Sequence, residues 1–391
     1  MKTCVVFIII ALNLSQLASV QAGEFRRPGQ GIRNLGMGNT GVALSADENA
    51  LQYNPAGLAA IDEMWITMPV TLEISQDSVD LVNDAQNIGD AQVSDLIGIG
   101  LNKQLHLRFN PGIALVVPFD GVAFGASTGM ELQFDFIAKN PVLIEIELGL
   151  RIDMLQSYGL GFDLDDGRWL VGIAAHTIER CDLQLSLSLG SVVTSGTDVS
   201  AYDSLGCSDL GFNADTGSIK GLAKAQTYDI GFQRRIESAS TLRMIFGIVA
   251  KQVTGMNFSR KSDQTTPLDE PMEIDAGLSF QPQTDWIRML AAIDLKDLTL
   301  SRIEDDPVCQ CLEKRLHLGM EIGFNPLDTG SSSLALRAGF NQGYFTYGIE
   351  FNPFIFFRFI TIQAASYTVE RGTSPGDNPE NRKVVQISFN L

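Results

Sequence analysis

Long uncharged apolar runs are missing from this sequence beyond its first residues. A helix that spans a membrane needs about 20 consecutive apolar residues, so helical membrane spans are excluded. Basic residues are scarce as well: 28 Lys and Arg stand against 46 Asp and Glu, which gives a formal net charge of −18. Such a chain cannot neutralise a phosphate backbone, and nucleic acid is excluded as a partner.

Histidine is also rare, and its placement argues against a catalytic or metal site. His106, His176 and His317 are far apart in the sequence, and none belongs to a metal-binding pair. The sequence has no Gly-x-Ser-x-Gly elbow, phosphate loop or calcium loop. A Ser–His or His–Asp site stays open, because triads are defined by geometry rather than by order. We nevertheless predict a protein that is not an enzyme and holds no metal or cofactor.

The N-terminus has the three parts of a secretory signal peptide. Lys2 precedes an apolar run from Cys4 to about Leu12, and Ala22 supplies the small residue before a cut. The run is too short to span a bilayer permanently. We therefore predict that residues 1–22 are a signal peptide, cleaved after Ala22.

Export places the remaining cysteines in an oxidising compartment, where disulfides are the default. The candidates are Cys181, Cys207, Cys309 and Cys311, and the sequence does not choose among their three possible pairings. Cys309 and Cys311 suggest a metal site only weakly, because no second Cys or His pair stands nearby at ligand spacing. We expect a structural disulfide.

Hydrophobic residues alternate with polar residues or glycine through most of the chain after residue 64. The pattern is clearest in residues 144–152, 183–189, 272–280, 316–324 and 345–351. Successive side chains of a strand point to opposite faces, so each segment has one apolar and one polar face. The sequence therefore predicts an all-β protein.

Alternation alone does not separate a soluble sandwich from a membrane barrel, but three features favour the barrel. The chain is exported, and its strands have the length of roughly ten residues that a tilted membrane strand needs. Residues 385–391 form an alternating strand that runs to the end of the chain. This strand resembles the C-terminal signal of outer-membrane barrels, with its aromatic at Phe389 and with Leu391 in place of the usual terminal Phe.

The connections between the predicted strands sort by length, which is a further argument for a barrel. Long connections fall at about 190–225, 252–271, 297–314 and 368–382. Short ones include Glu237 to Ser240, Gln281 to Thr284, and a hairpin turn at Asp165-Asp166-Gly167. Long external loops and short periplasmic turns are typical of outer-membrane barrels. We predict that residues 64–391 form a transmembrane antiparallel β-barrel of about 14 strands, within a range of 14 to 18.

Residues 23–63 lack this alternation and are rich in Gly, Ala and Asn. Asn54 before Pro55 is typical of a helix N-cap followed by proline at the first helical position. We predict that the segment is a hatch folded into the lumen of the barrel. The alternative is a disordered periplasmic tail.

The segment contains Leu-Gly-Met-Gly at 35–38, Gly-Val-Ala at 41–43, Asp47, and Asn-Pro-Ala-Gly at 54–57. These motifs resemble the N-terminus of the FadL-type outer-membrane transport proteins and their PorV-type and TraF-type relatives. The resemblance covers Gly31 to about Ala60, and the matching hatch positions are Gly36, Gly38, Asp47, Asn54, Pro55, Ala56 and Gly57. It implies a 14-stranded barrel that captures hydrophobic compounds at its outer side. The compounds would then bind in a hydrophobic pocket and leave through movement of the hatch or through a lateral opening in the barrel wall. The Gly-rich run 158–162 could bend the wall for such an opening, although glycine in a strand more often marks close packing.

We therefore expect a monomeric barrel in the outer membrane of a Gram-negative bacterium, which transports hydrophobic, fatty-acid-like molecules. Its expected partners are outer-membrane lipid, a hydrophobic small-molecule ligand and the barrel assembly machinery. The alternative is a non-transporting barrel that serves as a component of a secretion or conjugation assembly.

Overall fold

The computed structural model describes most of the chain after residue 28. The described residues are 29–44, 47–87, 103–139, 145–188, 204–205, 211–213, 218–220, 222–238, 242–259, 267, 269–282, 287–300, 312–324, 333–353, 359–371, 376 and 378–391. The predicted signal peptide and its cleavage site lie outside these residues.

Fourteen long strands in the described residues form one closed antiparallel barrel. They are β1 (Trp65–Ser75), β2 (Gln104–Phe119), β3 (Val122–Lys139), β4 (Glu145–Leu164), β5 (Trp169–Ser188), β6 (Ala223–Ser238), β7 (Leu242–Lys251), β8 (Glu273–Pro282), β9 (Ile287–Leu295), β10 (Leu316–Phe324), β11 (Leu334–Asn341), β12 (Tyr344–Phe351), β13 (Ile360–Glu370) and β14 (Pro379–Asn390). Each strand pairs with the next along the chain, and β14 pairs with β1, which closes the ring. The short strands Ser204–Leu205, Gly211–Asn213 and Ser218–Lys220 belong to the connection between β5 and β6.

The alternating faces of the strands are arranged as in a membrane barrel and not as in a soluble sandwich. On β10 the apolar Met320 is 50% exposed, whereas the neighbouring Glu321 is 1% exposed. On β14 the apolar Val385 and Ile387 are exposed, and Gln386 between them is buried. An apolar exterior around a polar interior is stable only where lipid surrounds the barrel. The predicted transmembrane barrel is confirmed, and it has 14 strands.

No helix within the described ranges is long and apolar enough to cross a membrane.

The four long connections that the sequence predicts all lie at one end of the barrel, but the sorting by length is only partial, because that end also has the short connections 140–144 and 342–343. One end carries the connections 76–103, 140–144, 189–222, 252–272, 296–315, 342–343 and 371–378. The other end carries 120–121, 165–168, 239–241, 283–286, 325–333 and 352–359. The turn at Asp165, Asp166 and Gly167 is the predicted hairpin, with φ values of 58°, 50° and 81°.

Within the described residues, five helical elements accompany the barrel. They are α1 (Ile32–Gly36), α2 (Ala50–Tyr53), a 3-10 helix (Pro55–Ala60), α3 (Gln76–Asn87) after β1, and α4 (Leu312–Arg315) before β10. Residues 29–61, which we call the hatch, hold the first three of these elements and contact the inner faces of the strands. Almost every described side chain between Gly31 and Leu58 is buried or half-buried. For the described residues of this segment, the alternative of a disordered tail is therefore excluded.

Candidate functional site

The backbone of the hatch lies directly against glycines of the barrel wall. A Cβ atom added to Gly172 on β5 would lie 2.2 Å from the carbonyl carbon of Pro55. One added to Gly339 on β11 would lie 2.5 Å from the amide nitrogen of Gly38. Real Cβ atoms do not approach backbone atoms so closely, so any side chain at these positions would displace the hatch.

The glycines of the run 158–162 have the same role. A Cβ at Gly159 would meet the Leu51 side chain at 2.6 Å, and one at Gly161 would meet the Ala59 nitrogen at 2.5 Å. In this structure they make room for the hatch, and β4 continues through them in register with both neighbours.

The first half of the hatch motif binds the wall at β10 to β12. Gly38 has φ +67°, and its N–H donates to the Thr346 hydroxyl at 3.0 Å. The carbonyl of Gly38 lies 2.8 Å from Nδ1 of His317, a buried side chain on the inner face of β10. A Cβ atom added to Gly36 would lie only 3.0 Å from the Cα atom of Gly348. His317 is therefore a hatch anchor.

The second half of the motif caps the 3-10 helix and holds it against β5 and β6. Asn54 Oδ1 accepts from the Ala56 N–H at 3.1 Å, which is the predicted N-cap. Its Nδ2 donates to the carbonyls of Val42 at 2.8 Å and Phe232 at 3.3 Å, so one side chain joins two parts of the hatch to the wall. Pro55, Ala56 and Gly57 are buried in the first turn of this helix.

Between these halves the hatch backbone is irregular, and the wall satisfies its polar groups. Asp294 on β9 accepts from the N–H groups of Gly41 at 2.7 Å and Val42 at 3.0 Å. The Ser279 hydroxyl donates to the Ala43 carbonyl at 2.9 Å. Buried backbone groups outside regular structure need such partners, and here the polar inner face of the barrel supplies them.

Charges add a further connection between the hatch and the wall. Arg33 of α1 donates to both carboxylate oxygens of Glu321, at 2.9 and 3.1 Å, and to Asp47 at 3.1 Å. Glu321 is fully buried on β10 and also accepts from Arg288 and Arg337, each at 2.8 Å. One carboxylate thus holds three guanidinium groups, which is a buried network with strong hydrogen bonds.

A second charged cluster lies in the wall near the end with the long connections. His106 on β2 lies 2.8 Å from Asp135 and 2.9 Å from Glu73 through its two ring nitrogens. Glu73 also pairs with Arg108 and Arg382. Oxygen and nitrogen atoms of His106, Asp135 and Glu380 lie within 4.8 Å of one another, which is close enough to hold a metal ion. Because the arginines already neutralise these carboxylates, the cluster is better explained as an ion-pair network.

The described residues of the connection 252–272 are 252–259, 267 and 269–272; we call them the inward segment, and they pack against the inner face of the wall. Its Met256 and Phe258 are buried against Ile178, Ala223 and Ala225. Beside this apolar contact, Arg180 on β5 forms a bidentate ion pair with Asp153, with two hydrogen bonds of 2.8 Å. It also donates a hydrogen bond to Glu270 at 3.0 Å. The guanidinium also lies 5.0 Å from the centre of the Phe258 ring.

A cavity separates the hatch from the inward segment. It is lined by Gln52, Leu155, His176, Ile178, Thr227, Asp229, Lys251, Gln252, Met256 and Glu273. The lining therefore combines three apolar side chains with seven polar or charged ones. This cavity is the candidate functional site, because it is the place where hatch, wall and inward segment meet.

Hydrogen bonds and one close imidazole–carboxylate contact around His176 connect the hatch, the wall and the inward segment across the cavity. Gln52 of the hatch donates to the Ser157 hydroxyl at 3.2 Å, and this hydroxyl lies 2.8 Å from Nδ1 of His176. On the other side Nε2 of His176 lies 3.2 Å from Asp229, which accepts the Gln252 N–H at 2.8 Å. The side chains of Ser157, His176 and Asp229 contact one another in the same sequence as the serine, histidine and aspartate of a hydrolase triad. Ser157, however, is fully buried in the middle of a strand that is paired on both sides. In this position they serve as a connection between the hatch and the inward segment.

Sequence reasoning located the hatch but missed this cavity. The structure places His176 on the inner face of β5, and nothing in the sequence predicts that the inward segment packs beside it. Of the disulfide candidates, Cys181 is buried and disulfide-bonded. Cys207, Cys309 and Cys311 lie outside the described residues.

The closed fourteen-stranded barrel is similar in fold to solved outer-membrane transport proteins of the FadL type. No protein-family model and no curated protein matches the sequence. Among solved structures, the toluene transporter TbuX of Ralstonia pickettii is similar, with a TM-score of 0.51 and 12% identity over 94% of this chain and 99% of that one. A FadL homologue of Pseudomonas aeruginosa has a TM-score of 0.52 and 13% identity over the same shares. The toluene transporter TodX of Pseudomonas putida has a TM-score of 0.50 and 12% identity over 95% of this chain and 98% of that one. At these identities the likeness establishes the fold.

Proposed function

We propose that this protein is an outer-membrane channel for hydrophobic small molecules in a Gram-negative bacterium. The observation that carries the proposal is the hatch, which lies inside the barrel and is held by hydrogen bonds to strands around the ring. General diffusion pores need an open aqueous channel. A lumen occupied by a folded segment, with a partly apolar cavity beside it, favours a selected cargo.

Two further observations support the proposal. Proteins with the same fold include transporters of toluene, an apolar molecule. The barrel wall is closed by pairing of β1 with β14 within one chain, so a single copy suffices and we expect a monomer. The C-terminal strand that the assembly machinery would recognise is β14, and its outer face carries Val385, Ile387 and Phe389.

The test is uptake of a panel of hydrophobic compounds by cells with and without the gene, each checked for the barrel in the outer membrane. Loss of uptake of one class of compound, restored by the intact gene, supports the proposal. Unchanged uptake over a broad panel, with the barrel in place, contradicts it and favours the component of a secretion or conjugation assembly. In that case a stable protein partner should be recovered in mild detergent.

A chain that lacks residues 24–60 gives the hatch its own test. Uptake through such a barrel should change in rate or in selectivity, because the segment that occupies the lumen is gone. Equal uptake by the full and the truncated barrel would contradict a role of the hatch in transport.

A further inference from the structure

The outer face of the barrel wall carries an arginine near the end with the short connections. Arg234 of β6 is exposed, whereas its neighbour Gln233 is buried and faces the lumen. β6 ends at Ser238, and Trp169, which lies opposite Arg234, is the first residue of β5. The guanidinium therefore lies close to the level at which the lipid-facing surface ends.

The outward-facing neighbours of Arg234 are apolar. Phe232 and Ile236 lie on either side of it along β6, and Trp169 and Phe246 lie opposite it on the two adjacent strands. The side chains of Ile236 and Phe246 are 38% and 40% exposed. Apolar side chains on the outside of a membrane barrel face acyl chains. A permanent positive charge thus lies within a surface that is otherwise suited to lipid.

The Arg234 guanidinium has no counter-ion within the described part of the chain. It forms neither a hydrogen bond nor an ion pair there, and it lies over the Trp169 ring, 4.5 Å from the ring centre. In the adjacent turn Asp165 pairs with Arg168 instead, at 3.5 Å. Charged side chains at a membrane surface are normally paired, because an unpaired charge next to acyl chains is costly. The geometry therefore calls for an anion from outside the chain.

A phosphodiester has the chemistry that this arrangement fits. A planar guanidinium donates two parallel hydrogen bonds to phosphate oxygens, and stacking on an indole ring leaves its N–H edges free to do so. Tryptophan itself is enriched at the level of the lipid head groups. A phospholipid supplies the phosphodiester at that level together with acyl chains for the apolar surface below it.

We propose that Arg234 and Trp169 bind the phosphodiester of a phospholipid from the surrounding bilayer, whose acyl chains lie against Phe232, Ile236 and Phe246. The inference goes beyond the proposed function, because the site is on the outside of the barrel and needs no cargo. A soluble anion would gain the contact with Arg234 but not the apolar contacts, so a lipid is the better ligand.

The test compares dioleoyl phosphatidylglycerol with dioleoylglycerol, which has the same acyl chains and no phosphodiester. Each lipid is titrated into the purified full-length barrel in a nonionic detergent, and native mass spectrometry measures the fraction of barrel with one lipid bound. We expect the phospholipid to bind about tenfold more tightly, because only it forms hydrogen bonds to a charged group. Equal affinities, or binding of neither lipid, would overturn the inference.

Three variants assign the preference to this place on the wall. Arg234→Gln should bring the two affinities close to each other, and Trp169→Leu should weaken phospholipid binding because the ring no longer orients the guanidinium. Arg168→Gln removes the same charge from the exposed turn at the same end and should keep the preference. The migration of unheated and heated samples in gel electrophoresis checks that each barrel is folded. Equal losses in Arg234→Gln and Arg168→Gln would indicate a general attraction to positive charge and contradict the site.

An excess of inorganic phosphate separates a lipid site from a site for free phosphate. The bound phospholipid should remain in place, because the acyl-chain contacts are unavailable to the ion. Displacement by inorganic phosphate would contradict the assignment to lipid. The measurement contains no cargo, so its outcome is independent of the uptake experiment.

Discussion

At the scale of single residues, the contacts between hatch and wall tolerate little change. Glycines such as Gly172 and Gly339 leave no room for a side chain, because hatch backbone atoms occupy the space. Glu321 holds three arginines from three elements. Two different kinds of contact, steric and ionic, therefore hold the same segment, and each can be tested alone.

Gly172→Ala should loosen the hatch, because the new methyl group would lie 2.2 Å from the Pro55 carbonyl carbon. Overpacking of this kind costs typically about 1–3 kcal/mol. We expect a lower midpoint of thermal unfolding in detergent and faster tryptic cleavage after Arg33. Gly149→Ala is the control, because its methyl group would meet Asp135 only at an ordinary 3.4 Å. Identical behaviour of the two variants would contradict the close approach at Gly172.

Glu321→Gln should be among the most damaging changes in the lumen. It removes the carboxylate charge that Arg33, Arg288 and Arg337 share, leaving Arg33 with Asp47 and Arg337 with Glu350. Breaking a buried ion pair costs about 3–5 kcal/mol. The free energy of unfolding in urea, measured in detergent, checks this. Arg168→Gln breaks the exposed pair with Asp165 and should cost less than about 1 kcal/mol. Comparable losses in both variants would show that the network contributes little.

At the scale of elements, the hatch is a folded segment without long helices of its own. Its helices are only four to six residues long, which is too short to be stable alone. The wall therefore supplies most of its partners, through Asp294, Ser279, His317 and Thr346. A segment held in this way should respond to changes in the charges around it.

The pH dependence of the hatch offers such a test at Glu48. Burial, followed by the neighbouring carboxylates of Asp47 and Glu350, raises the pKa of Glu48 to about 8, against the opposing effect of Arg33. The folded hatch therefore keeps this proton more strongly than the unfolded chain, whose value is near 4.5. The protonated Glu48 should therefore stabilise the hatch most below about pH 4.5, and this stabilisation should decrease as pH rises from about 4.5 to about 8.

Hydrogen exchange of the hatch amides between pH 5 and 9 would measure this, after correction for the intrinsic pH dependence of exchange. Glu48→Gln should flatten the profile, because the amide stays neutral throughout. A variant whose profile follows that of the unchanged protein would contradict the raised pKa.

At the scale of the whole molecule, the barrel depends on lipid around its apolar exterior. Leu336 on β11 lies between Ile322 and Ile349 of the neighbouring strands, and its side chain is 46% exposed. A lysine on the lipid face of a barrel costs about 2–4 kcal/mol at the midplane of the bilayer. Leu336→Lys should therefore slow or weaken folding into lipid vesicles.

The matched control is Leu298→Lys, in the connection 296–315, where the leucine is 39% exposed. It should fold like the unchanged protein, because the charge would lie in water. Equal penalties for both leucines would contradict the assignment of the outer face of β11 to lipid.

The sequence alone was enough to predict the barrel, the hatch and the positions of the four long connections. Period-two alternation is a local property, so segments such as 316–324 identify their strands without any knowledge of neighbours. The N-cap at Asn54 is equally local, because the side chain bonds to an N–H group two residues away. The predicted export and the strand length then indicated that the apolar face meets lipid.

Only the tertiary structure decided how the lumen is filled. Arg33 and Glu321 contact each other although they are 288 residues apart in the sequence, and Gly38 and His317 do so although they are 279 apart. No local sequence pattern predicts such pairs. The cavity also needs the inward segment, whose Gln252 approaches Asp229 and His176 only after the ring of strands has closed. Alternation determines which face a side chain takes, and strand order and loop packing determine what it meets there.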